Sequence, residues 1–138
     1  MERWEWAQPS IPLFQHSSVL VKLIGGEVKA QVLVDAGICG FQTRIHADSD
    51  DTQNVTFRIA SGCEKARKFG EALMAKGPVD GYAEIGAGAD GVVLTTARET
   101  LRGCCAACAA PVGVFKAMQV AAGVALPKDV VMKITAEQ

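Results

Sequence analysis

The chain has 138 residues, with Lys+Arg 14 against Asp+Glu 15 for a net charge of −1, and is 49% hydrophobic and 21% charged. A near-neutral balance supplies no basic field to neutralise phosphates, and no apolar run of about 18 residues is present, so nucleic acid and membrane are not expected partners. A chain of this length buries roughly two-thirds of its unfolded surface on folding, enough for one core without disulfide staples.

Residues 1–27 differ from the remainder. They hold Trp4, Trp6, Pro9 and Pro12, a polar stretch over 15–18, an apolar run over 19–24 and Gly25-Gly26. They read as an accessory extension ahead of a single cysteine-bearing domain over 28–138. Glu2 and Glu5 stand where a signal peptide carries positive charge, so the expected address is the cytoplasm.

From Val28 onward, Val28, Ala30, Val32 and Val34 alternate with polar residues, as do Phe41, Thr43, Ile45 and Ala47, and then Val55, Phe57 and Ile59. Such alternation predicts antiparallel strands with one buried face. The cluster over 48–54 predicts a turn whose side chains cap their own backbone. Ser61 followed by Glu64 forms a capping-box pattern, and Ala66, Phe69, Gly70 and Leu73 continue at helical spacing until Lys76-Gly77-Pro78. A short helix over 79–85, a glycine-rich loop over 86–91, a helix over 92–101, a long helix from Pro111 to about 126 and a closing strand over 130–134 complete the prediction. The fold class is α+β, an antiparallel sheet of three or four strands with helices packed on one face.

Five cysteines carry the chemistry: Cys39 at a turn between strands, Cys63 at a helix start, and Cys104, Cys105 and Cys108 just before the long helix. All three points are element ends, where free backbone N–H groups support charged sulfur. Cys105-Ala-Ala-Cys108 has the two-residue gap common at zinc and cluster sites, and thiolates are the ligands that zinc and iron–sulfur clusters select. The pattern predicts a metal or cluster site using at least three of the five. An alternative makes Cys63 a reactive thiol in persulfide or disulfide exchange, favoured by its helix N-terminus. A third makes the protein a non-catalytic adaptor whose cysteines pack as small apolar groups. The odd cysteine count and a reducing cytoplasm disfavour a disulfide framework. His46, Asp35 and Lys116 are secondary candidates: a solvated histidine, a turn-former and a lysine that snorkels to water.

The segments Asp-Ala-Gly-Ile-Cys-Gly-Phe-Gln-Thr (35–43), Ala-Ser-Gly-Cys (60–63), Cys-Cys-Ala-Ala-Cys (104–108) and the stretch 115–130 resemble a family of small cysteine-bearing proteins of anaerobic prokaryotes with no assigned activity. The resemblance begins near residue 28 and implies a ligand set of Cys39, Cys63, Cys104 and Cys108, with Cys105 dispensable. The order strand, Cys-Gly, two further strands, Gly-Cys, helix and a final cysteine before a helix is also similar to the NifU/IscU-type iron–sulfur scaffold. That likeness implies a two-layer fold, an iron–sulfur cluster or zinc as cofactor, and iron–sulfur or sulfur-trafficking proteins as partners. Phe41 stands where that scaffold has the acid that promotes cluster release, and the Leu-Pro-Pro-Val-Lys recognition segment is missing, which implies holding a cluster or metal rather than passing it on.

Overall fold

The computed structural model describes residues 28–138, apart from the side chain of Cys104. The proposed extension over 1–27, with Trp4, Trp6 and His16, lies outside the described residues. Strands β1 (Val28–Asp35), β2 (Gln42–Ser49) and β3 (Asn54–Ser61) form an antiparallel meander. A two-residue β4 (Val79–Asp80) pairs with β3, giving the order β1-β2-β3-β4. Period-two alternation sends Val34, Thr43, Ile45, Ala47, Ser49, Val55 and Phe57 to the buried face, while Gln31, Leu33, Arg44, Thr56 and Arg58 face outward and are exposed.

Helices α1 (Glu64–Ala75), α2 (Gly81–Ala87), α3 (Val92–Thr100) and α4 (Ala110–Ala121) cover the buried face. α1 lies on β3, α4 crosses β1 and β2, and α3 fills the space between α1 and α4. Both sheet contacts use a glycine for close approach. A Cβ on Gly70 would stand 2.9 Å from Ile59, and one on Gly113 would stand 2.5 Å from Val34 and 3.0 Å from Ile45. α4 buries Ala110, Gly113, Val114, Ala117, Met118 and Ala121, whereas Val112 and Lys116 are exposed. A single helical layer leaves the outer side of α4 in water, so it is less enclosed than its apolar sequence suggests.

Several boundaries differ from the sequence prediction. Ser61 is the last residue of β3, and Cys63 occupies the N-cap of α1. Pairing of Ser61 with Thr43 carries the strand two residues further than the capping-box pattern implied. α4 stops at Ala121 rather than near 126, because Gly123 takes φ +74°, with Gly123 N–H donating to Val120 C=O and Val124 N–H to Gln119 C=O. That pair of bonds is the Schellman arrangement that terminates helices. Residues 130–134 form no strand: Val130, Val131, Met132 and Ile134 are exposed, and strand propensity without a pairing edge is insufficient. The fourth strand is instead Val79–Asp80, and the stretch 86–91 is the end of α2 followed by a 3-10 turn, Gly88–Asp90.

Local polar bonds set the corners. Asp80 caps α2 by accepting from the N–H groups of Tyr82 and Ala83. Glu84, buried in α2, accepts from Val93 N–H at 2.7 Å and Val92 N–H at 2.8 Å, so it caps α3 from another helix. Gly91 leaves the room that its carboxylate occupies. In the β2–β3 turn Asp51 accepts from Asn54 Nδ2 at 2.8 Å, Asn54 N–H at 2.8 Å, Gln53 N–H at 3.0 Å and Ser49 Oγ at 3.2 Å. Asn54 first, then the Gln53 and Ser49 bonds, hold the Asp51 carboxyl far below the usual aspartate range.

Gly113→Ala should destabilise the protein by about 1–3 kcal/mol of overpacking, only partly offset by about 1 kcal/mol of helix propensity. Gly86→Ala in α2, where the added methyl meets nothing within 4 Å, should be neutral or stabilising in the same denaturant titration. Because the folded pKa of Asp51 is depressed, its stabilising effect is present at neutral pH and is lost as pH falls below the unfolded aspartate value, roughly 4. Asp51→Ala should therefore lower the melting temperature at pH 7, and the gap from wild type should close steadily on acidification from about pH 4 to about pH 2.

Candidate cysteine site

Register determines where each cysteine lies. Val34 of β1 pairs with Thr43 of β2, and Thr43 pairs with Ser61 of β3. The β1–β2 hairpin tip and the β3–α1 corner therefore emerge from the same end of the sheet. α4 starts at that end too: Gly113 sits over Val34 and Ile45, while Ala122, beyond the other terminus, sits against Gly81 near Gln53. The turn 103–108 that feeds α4 is tied to the first turn of α1, where Lys65 Nζ donates to Arg102 C=O at 3.2 Å. The three cysteine-bearing segments thus share one end of the molecule.

Each segment is built differently. In the hairpin, Asp35 accepts the N–H of Gly37 at 3.1 Å, as a turn-forming Asp35 predicts, and Gly40 N–H donates to Gly37 C=O at 2.9 Å. Gly37 and Gly40 take φ of +84° and +75°, values that suit glycine. Their turn leaves Ile38 and Cys39 exposed at the tip. At the corner, Cys63 is half-buried, and no side chain caps the first turn of α1. The ring of Phe41 lies over Gly62, with a ring carbon 3.3 Å from where a Cβ would be. In the third segment a 3-10 turn, Gly103–Ala107, brings Cys108 N–H to Cys105 C=O at 3.1 Å. Cys105 and Cys108 are half-buried against the core, and the Cys108 sulfur accepts the N–H of Ala110 at 3.4 Å.

Cys39, Cys63, Cys105 and Cys108 are free thiols. Among the described residues no three Cys, His, Asp or Glu side chains are grouped closely enough to hold a metal ion, the thiol of Cys104 lying outside that description. Of the secondary candidates only Asp35 lies at this end, as a turn-former: His46 is half-buried on the outer sheet face opposite Arg58, and Lys116 is exposed on α4. Sequence reasoning missed two residues of this end, Ser61 as an acceptor at the corner and Phe41 as its cover. The one available signal was the position of Ser61 two residues before Cys63, the spacing of a Ser/Thr turn.

The fold and this end define a small two-layer α+β domain whose cysteines are carried by three turns at one end of the sheet. The chain belongs to DUF6951, a family of unknown function whose model matches residues 30–134. No curated protein and no solved structure matches it. Among the described residues no helix is long and apolar enough to cross a membrane.

Proposed function

We propose that the protein binds a metal ion, zinc or the iron of an iron–sulfur cluster, through Cys39, Cys63, Cys104 and Cys108. The observation that carries this reading is the emergence of all three cysteine-bearing segments at one end of the sheet. Two further features support it. The sulfur of Cys108 already accepts a backbone N–H, the kind of bond that supports a thiolate ligand and tunes its metal. α1 follows Cys63 directly, so the positive end of its dipole favours negative sulfur there. The donor set is all sulfur, which fits a soft or borderline metal and suits calcium or magnesium poorly.

Because no three described donors are already grouped, binding draws the segments together, and Cys39, exposed at the hairpin tip, is open to an incoming ion. Phe41 covers Gly62 with an apolar ring, and the resemblance to the NifU/IscU-type scaffold, which has a release-promoting acid at this place, implies a protein that keeps its metal. In this reading the protein works in the cytoplasm and is loaded by iron–sulfur or sulfur-trafficking proteins. A reactive-thiol role for Cys63 is the second reading, favoured by the uncapped first turn of α1.

Anaerobically purified protein should carry iron with sulfide, or zinc, in whole-number stoichiometry by absorbance and elemental analysis. Cys39→Ser, Cys63→Ser and Cys108→Ser should each lose most of it, and Cys105→Ser should retain it. Folded wild-type protein that stays metal-free and takes up neither zinc nor iron plus sulfide contradicts the proposal. If Cys63→Ser alone abolishes alkylation of such a protein, the reactive-thiol role stands in its place.

A further inference from the structure

Ser61 is the residue in the cysteine end whose bonds the capping-box pattern does not explain. Its hydroxyl makes no bond to the first turn of α1, which has no side-chain cap. Instead the Ser61 oxygen accepts the N–H of Cys63 at 3.1 Å and shares a 2.9 Å hydrogen bond with the Thr43 hydroxyl. The Ser61 hydroxyl also reaches Gln42 C=O at 3.2 Å, so it donates there while Thr43 donates to it. Gly62 N–H points to the same Gln42 carbonyl at 3.4 Å. Gln42 is the first residue of β2, immediately after the hairpin that carries Cys39.

One side chain therefore ties the backbone of Cys63 to the strand that issues from the Cys39 hairpin. We infer that Ser61 is a positioning residue for metal binding, whose hydroxyl fixes the Gly62-Cys63 corner to the first residue of β2 so that the Cys39 hairpin closes on a set ligand. This inference rests on the metal-binding reading above. The physical reason is that thiolate sites depend on outer partners that hold their ligands in place, and losing such a partner typically costs about tenfold to a hundredfold in metal affinity. Without the Ser61 oxygen the Cys63 N–H loses its partner and the corner can turn independently of β2. The cost then falls on ligand placement, beyond any cost to the sheet.

Ser61→Val and Ser61→Thr test this as a pair of equal shape that differ in the hydroxyl, both compatible with a strand. Thr43→Val serves as the control. It removes the cross-strand hydroxyl bond but leaves the contact from Ser61 to Cys63 in place. The probe is Co²⁺ alone, titrated anaerobically and read from its thiolate charge-transfer absorption, with a parallel series of Fe²⁺ plus sulfide. Circular dichroism and melting curves report the fold. Ser61→Val should bind Co²⁺ about tenfold to a hundredfold more weakly with reduced thiolate absorption, while Ser61→Thr and Thr43→Val stay near wild type.

If Ser61→Val is folded and binds like wild type, the positioning role is overturned and the metal-binding reading survives. Equal weakening in Ser61→Val and Thr43→Val, tracking their melting temperatures, also overturns it, since that marks a purely structural hydroxyl. Should Ser61→Val fail to fold, Ser61→Ala, which removes the hydroxyl without adding bulk, takes its place against Ser61→Thr, and folded Ser61→Ala that binds Co²⁺ like wild type overturns the positioning role. Wild-type protein that takes up neither probe overturns both readings at once.

Discussion

The approach of α4 to the β1–β2 hairpin at Gly113 is the constraint from which the arrangement of the molecule follows. A Cβ there would fall 2.5 Å from Val34 and 3.0 Å from Ile45, so any larger residue forces those sheet side chains to shift. A helix seated that closely is held in register along its length, and its far end is fixed where Ala122 meets Gly81. With both ends set, the N-terminus of α4 has one location, and the turn that carries Cys104, Cys105 and Cys108 is delivered to the sheet end occupied by Cys39 and Cys63. The proposed chemistry therefore depends on a packing contact five residues along the chain from Cys108, the nearest cysteine.

The same end shows how a polar group can serve the fold and a ligand set together. Thr43 is buried and would be costly without a partner, and Ser61 supplies one. Ser61 is itself satisfied by Gln42 C=O and the Cys63 N–H, so the strand end is closed by a fully paired network. The Lys65 bond to Arg102 C=O adds a tie of another kind, joining the helix after Cys63 to the segment before Cys104. It lies at the surface, where such a bond is weaker and exchanges with water. The site thus has one firmly braced part, the Ser61 corner, and two others, the Cys39 hairpin and the 103–108 turn, with more freedom to close on an ion.

How much of this was legible in the sequence depended on whether a feature was local. The three long strands were, because one polar and one apolar face impose period-two alternation on Val28 to Val34, Thr43 to Ala47 and Val55 to Ile59. α3 and the body of α1 were, through helical spacing. Features settled by partners distant in sequence were not. Ser61 reads as a helix cap until Thr43 recruits it into a strand, and Glu84 caps α3 at Val92 across seven intervening residues, a relation no local pattern encodes. The stretch over 130–134 has every property of a strand except a neighbour to pair with. At the candidate site, cysteine identity and placement at element ends were readable, whereas their emergence at one common end required the seating of α4. The handful of thiol distances that decide metal binding depends on loops whose closure neither strand register nor helix packing dictates.

X-ray absorption at the metal edge of wild-type protein loaded with zinc or iron measures the central claim directly, since it counts the atoms bound to the ion. The account predicts a shell dominated by sulfur, at about 2.3 Å for zinc, supplied by three or four thiolates. A shell of nitrogen and oxygen alone, with no sulfur, would contradict it.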